Sequence, residues 1–134
     1  MRTIASLSLD SDQAPWRVDM QTGRHVLIGD EPTSAGGQDA GPAPYGYILA
    51  GLGACTAMTL KMYAERKGWD LGTVHVELQL QKDAEGQTHI QRQIRCSAAL
   101  DDAQWERLLD IAGKTPVTRT LLAGSRIETR RLDG

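Results

Sequence analysis

The stretch from Gly41 to Leu60, GPAPYGYILAGLGACTAMTL, has no charged side chain, although 24% of the chain is charged. After Pro42 and Pro44 it predicts a helix, because Ile48, Leu49, Leu52, Cys55, Met58, Thr59 and Met62 recur at steps of three and four. The helix is expected to run from about Tyr45 to Gly68, a length of about 36 Å. Its first part is apolar all round, and its end carries Lys61, Glu65, Arg66 and Lys67. A helix apolar on every side has to be covered on every side. One small domain hardly provides that cover, so a second subunit is expected. Gly51, Gly53, Ala54 and Ala57 surround Cys55 and let other backbone come close. A thiol in that setting is either a small core hydrophobe or a prepared reactive group.

Composition narrows the rest. At 134 residues the chain is expected to form a single domain, 1–134. Aromatic residues make up only 4%, with no Phe, so the core must be aliphatic and alanine-rich. A core poor in large side chains again favours a homodimer, which buries more surface. The formal net charge of −2 gives no footprint for nucleic acid. The uncharged stretch holds two prolines and four glycines and lacks a sustained run of large apolar residues, so it is not expected to span a membrane. The N-terminus, MRTIASLSLDSDQ, has no apolar signal-peptide core. A cytoplasmic protein with reduced thiols is expected. His25, His75 and His89 show no metal spacing, and neither Cys55 nor Cys96 sits in a Cys-x-x-Cys pair, so neither metal nor cofactor is expected.

Along the chain, short strands are expected at Thr3–Leu9, Trp16–Met20 and Arg24–Ile28, with a turn at Gln21-Thr22-Gly23. The loop GDEPTSAGGQDAGPAP, Gly29 to Pro44, is long for a compact domain and reads as functional because it delivers the chain to the cysteine helix. Thr73–Leu80 alternates cleanly and predicts a half-buried strand. The turn Asp83-Ala84-Glu85-Gly86 leads to a second strand with Ile90, Ile94, Cys96, Ala98 and Leu100 on one parity. Cys96 there reads as a small buried hydrophobe. Arg92 shares that inward parity, and the pattern gives no reason for it. Asp101 or Asp102 caps a helix, with Gln104 completing a capping box and Gly113 as its stop. A last strand is expected around Ser125–Leu132.

The segment DEPTSAGGQDAGPAPYGYILAGLGACTAMTLKMYAERKGWDL, Asp30 to Leu71, resembles the core motif of the OsmC/Ohr superfamily: a Gly/Pro loop, a Leu/Ala run, then Ala-Cys on a long helix. LDDAQWERLLDIAGKTPVTRTLLAGSRIET is similar to the family's closing helix and its Cys-Pro-Val-His-Arg-Thr-Leu segment. The resemblance covers roughly Arg24 to Thr129 and is closest to the general OsmC-like branch. It implies an α+β fold, with antiparallel sheets wrapped around long central helices in an intertwined homodimer. It also implies reduction of organic hydroperoxides by a thiolate that becomes a sulfenic acid, is resolved by a second cysteine and is reduced by an external thiol.

On this resemblance Cys55 matches the peroxidatic cysteine. Thr115 stands where the resolving cysteine would be, and Tyr45 where the family's catalytic Glu would be, ten residues before the reactive cysteine. The family's Arg has only Arg24 as a nearest candidate. Two functions remain open from the sequence. One is a thiol-dependent hydroperoxide reductase of one-cysteine type using Cys55. The other is a non-catalytic OsmC-like module that binds an apolar small molecule in the dimer cleft.

Overall fold

The structure, a computed structural model, describes residues 1–133. The chain divides into two compact units, Met1–Ala50 and the part from Gly51 onward.

In the first unit, β1 (Ser8–Asp10), β2 (Val18–Thr22) and β3 (His25–Gly29) form an antiparallel sheet in the order β1-β2-β3. The β2–β3 register pairs Met20 with Leu27 and Val18 with Gly29, so the alternation expected from Trp16 onward sets one apolar face. The hairpin turn is Gly23-Arg24, one residue later than the sequence implies, because Thr22 and His25 still pair. The first strand is shorter than expected and confined to the residues that find a partner on β2. Beyond β3 the long loop is ordered. A short 3-10 turn, Thr33–Ala35, follows Pro32, and the Asp30 N–H donates to the Pro42 carbonyl. Gly37 and Gly41 are required there, since a side chain at either would run into the Glu31 or Ile28 carbonyl.

Helix α1 (Pro44–Lys67) begins in the first unit and continues into the second. It starts on Pro44, whose missing N–H costs nothing at a helix start. Leu52, Thr56, Leu60 and Ala64 form its buried stripe, at steps of four. Met58 and Met62 on other faces remain 59% and 58% exposed. The single chain therefore fully buries one stripe of an apolar helix and leaves its other positions half-buried or exposed.

In the second unit, β4 (Val74–Lys82) and β5 (Thr88–Cys96) form an antiparallel hairpin. The Asp83 carboxylate ties its turn by accepting from the Glu85 and Gln87 N–H groups. Helix α2 (Asp102–Ala112) has the expected capping box: Gln104 N–H donates to the Asp101 carboxylate, and Asp101 N–H to the Gln104 side chain. Helix α3 (Pro116–Ala123) was not expected as a helix. Its signal is Thr115 as N-cap followed by Pro116 at the first helical position. The core gathers Leu60, Ala64, Leu71, Leu108 and Ala112, flanked by Tyr63, Trp69, Ile94, Cys96 and Trp105. Residues Ser125–Leu132 form no strand: among the described residues they pair with none, and they are exposed. Alternation alone does not make a strand; an open sheet edge must receive it.

Candidate functional site

Cys55 lies half-buried in α1, eleven residues after the helix start, where the helix dipole has faded. Its Sγ is 3.9 Å from Thr59 Oγ1, one turn on. The next residue, Thr56, is fully buried, and its hydroxyl donates to the Leu52 carbonyl at 2.7 Å. That leaves the Thr56 oxygen free to accept, and the donor it receives is Arg92 Nη1 at 2.9 Å.

Arg92 reaches this point because it occupies the inward parity of β5, directly opposite Leu78. Its Nη1 also donates to Thr118 Oγ1 at 2.9 Å, and its Nη2 to the Ala112 carbonyl at 2.7 Å. Ala112 ends α2, and the last carbonyls of a helix lack intrahelical donors and attract cations. Thr118 Oγ1 lies 3.2 Å from the same carbonyl and 2.7 Å from Thr115 Oγ1. One assignment of protons satisfies all these groups: Thr118 donates to Ala112, Thr115 donates to Thr118, and the Thr115 oxygen caps Thr118 N–H. Every acceptor around the guanidinium is neutral. Among the described residues Arg92 forms no ion pair. Burial lowers its pKa from the ordinary value, and the neighbouring Cys55 opposes that shift.

The structure thus links Thr115, the position of the implied resolving cysteine, to the residue beside Cys55 through Arg92. The cluster is built without Arg24, which lies exposed in the β2–β3 turn of the first unit. Tyr45 is in the first turn of α1 and about half exposed. Cys96 lies on the inward parity of β5, as expected, but is half-buried rather than enclosed. Burial pushes its thiol above the ordinary 9.0, with Lys61 acting in the opposite sense. Both cysteines are free thiols. Arg92, Thr56 and Thr118 are the site residues that sequence reasoning did not assign. The signal that points to Arg92 was visible, a charged residue between Ile90 and Ile94 on an inward-facing parity.

A second feature belongs to the first unit. Its sheet and loop enclose an open, mainly apolar cavity of about 540 Å³, lined among others by Leu9, Trp16, Met20, Leu27, Pro42 and Tyr47. Asp30 beneath it is buried, and its carboxylate accepts from the N–H groups of Glu31, Gln38 and Ala40 at 2.7, 3.3 and 3.1 Å. Burial acts to raise this carboxyl, but those donors, helped by Arg17, outweigh it and hold its pKa below the ordinary 3.8. Among the described residues no group of His, Cys, Asp and Glu side chains is arranged to hold a metal ion, and no helix is long and apolar enough to cross a membrane.

The fold has structural counterparts. A proposed osmotic stress induced and detoxification response protein of Psychrobacter arcticus superposes with a TM-score of 0.75 at 17% identity, over 90% of this chain and 88% of that one. An OsmC-like protein from Mycoplasma pneumoniae gives 0.72 at 15% identity, over 91% and 89%. The organic hydroperoxide resistance protein OhrB of Bacillus subtilis gives 0.60 at 19% identity, over 88% and 90%. These likenesses establish the fold, an α+β arrangement of antiparallel sheets and helices. No curated protein matches the sequence significantly. The family model for OsmC-like protein matches residues 36–130, which include Cys55, Arg92, Thr115 and Thr118, and the chain belongs to the OsmC-like protein family.

Proposed function

We propose that this protein is a thiol-dependent organic hydroperoxide reductase that acts in oxidative stress, with Cys55 as its peroxidatic residue. The observation that carries this reading is a guanidinium that has no ion-pair partner among the described residues and is hydrogen-bonded to Thr56, the residue after the thiol. The family includes organic hydroperoxide resistance proteins such as OhrB of Bacillus subtilis, which agrees with it. In the first step the Cys55 thiolate attacks the terminal peroxide oxygen. An S–O bond forms, the O–O bond breaks with its electron pair going to the alkoxide, and the alkoxide takes a proton and leaves as the alcohol. The sulfur is oxidised to a sulfenic acid.

Neither Thr115 nor Cys96 suits the resolving step. Thr115 has no sulfur, and Cys96 sits on the inward parity of β5, where burial pushes its thiol pKa up. An external monothiol therefore resolves the sulfenic acid, releasing water and leaving a mixed disulfide. A second thiol then restores Cys55 and leaves as the external disulfide. The working unit is a homodimer, because Met58 and Met62 on α1 stay largely exposed in one chain.

Intact-mass and peptide measurements after a stoichiometric organic hydroperoxide pulse test the reading. One added oxygen on Cys55, with no intramolecular disulfide, is expected. Cys55 left unmodified under excess hydroperoxide overturns it. In that case the apolar cavity of about 540 Å³ in the first unit favours the second reading, an OsmC-like module that binds an apolar small molecule.

A further inference from the structure

We propose that Arg92 is the binding point for a small organic acid, whose carboxylate is held by the one edge of the guanidinium that this chain leaves open. The site is separate from the chemistry assigned to Cys55 and does not depend on it.

A guanidinium carries five N–H donors in a rigid plane. Nη1 of Arg92 spends both of its protons, on Thr56 Oγ1 and on Thr118 Oγ1, each at 2.9 Å. Nη2 spends one on the Ala112 carbonyl at 2.7 Å. The Thr118 and Ala112 oxygens lie only 3.2 Å apart, so Nη1 and Nη2 reach them side by side across the end of the fork. The donors left over are Nε–H and the second N–H of Nη2. They point the same way from one edge, in the parallel arrangement that receives the two oxygens of a carboxylate.

Among the described residues no carboxylate fills that edge. Asp110 on α2 pairs with Arg107 and Lys114, and Glu77, on the exposed parity of β4, pairs with His75. Among the same residues no side-chain nitrogen or oxygen is both buried and without a partner. An unpartnered Nε–H therefore meets solvent, and a ligand can reach it. The fork is also held in place, by Thr56 on α1, the end of α2 and Thr118 on α3, with Thr118 braced by Thr115 at 2.7 Å. A donor edge ordered before the ligand arrives spends little binding energy on ordering.

Charge and shape select the ligand class. Lys61 is engaged by the Gly72 carbonyl, and Arg95 lies on the exposed parity of β5, so neither adds a second positive charge to the edge. A carboxylate, planar and singly charged, matches one guanidinium in both respects. A phosphate dianion would keep a net negative charge at a half-buried place, which is costly.

The test is a titration of the isotope-labelled full chain with sodium acetate, set against sodium chloride and sodium phosphate at equal ionic strength. NMR follows the Arg92 Nε–H and the backbone amides of Thr56 and Thr118. Acetate should shift these signals saturably, with half-saturation on the order of millimolar, as two charge-assisted bonds offset by the cost of association allow. Phosphate should bind more weakly, and chloride should give no saturable shift. Arg92→Lys keeps the charge but has no such edge, and should raise the half-saturation concentration about tenfold or more. Thr118→Val, which loosens the fork, should raise it severalfold and carries the test if Arg92→Lys does not fold. Acetate shifts no different from those of chloride overturn the proposal. So does a folded variant of either kind that binds acetate as the wild type does, and so does phosphate binding more tightly than acetate. The peroxide pulse is read separately: acetate binding beside an inert Cys55 removes only the peroxidase, and a reactive Cys55 with no acetate shift removes only this site.

Discussion

Asp30 and Arg92 carry opposite charges, and the two compact units treat them by opposite wiring. Neither has an ion-pair partner among the described residues. Asp30 is satisfied by backbone N–H groups no more than ten residues ahead of it, from Glu31 to Ala40. Arg92 is satisfied by groups 20, 26 and 36 residues away, on three different helices. The first charge organises its own loop. The second ties β5 to α1, α2 and α3, and brings a cation next to the helix that carries the cysteine. A buried charge solvated locally is an element of loop geometry, while one solvated at long range makes the tertiary structure part of the site.

That contrast can be broken experimentally. The largest effect should come from Arg92→Met, which takes the incoming donor from Thr56 Oγ1 and one of two donors from both Thr118 Oγ1 and the Ala112 carbonyl. Hydrogen bonds to charged groups are worth roughly 1.5–3 kcal/mol each, so urea denaturation should show a loss of about 2–4 kcal/mol after partial relaxation. Hydrogen exchange should quicken across α1, α2 and α3 together. A loss confined to one helix would mean that the long-range wiring is not coupled. Thr118→Val removes one arm and should cost about 1–2 kcal/mol in the same measurement. Asp101→Ala, a helix cap away from both charges, should cost about 1 kcal/mol and serves as a reference for an ordinary local loss.

Asp30→Asn should be smaller in global stability and different in kind. Exchange should quicken within residues 30–42 and leave the second unit unchanged, which sharpens the comparison if it holds and ends it if protection is lost throughout. The smallest effect is in pH dependence. The pKa of Asp30 is held below the ordinary 3.8 in the folded chain. Its contribution is therefore complete above the unfolded value and drains as pH falls through the folded one. Acid unfolding of Asp30→Asn should lose part of the wild-type slope below about pH 4. Asp83, lowered chiefly by its bond to His89 and the Gln87 N–H, retains its own share in the variant.

Much of the architecture was legible because its causes are short-ranged. The steps of three and four in α1, the alternation of β4, the Asp83 turn and the Asp101–Gln104 box each depend on residues within a turn or two of one another. Helix α3 was also legible in principle, from Thr115 followed by Pro116. The expected strand at Ser125–Leu132 is absent, because a strand depends on an edge elsewhere in space and not on its own alternation. The motif around Cys55 named the cysteine, but it could not name Arg92, since helices bring its acceptors together from far along the chain.

By itself, then, the sequence determined the family and three of the elements: an uncharged helix with one cysteine, a half-buried hairpin and a capped helix have local signatures. Only the tertiary structure decided which groups receive the Arg92 guanidinium. The inward parity of Arg92 is a two-residue pattern, but its meaning depends on the end of α2 and on Thr118 meeting Thr56 across the core. A guanidinium can be taken from water only where enough acceptors converge, and convergence is a property of packing, not of sequence order.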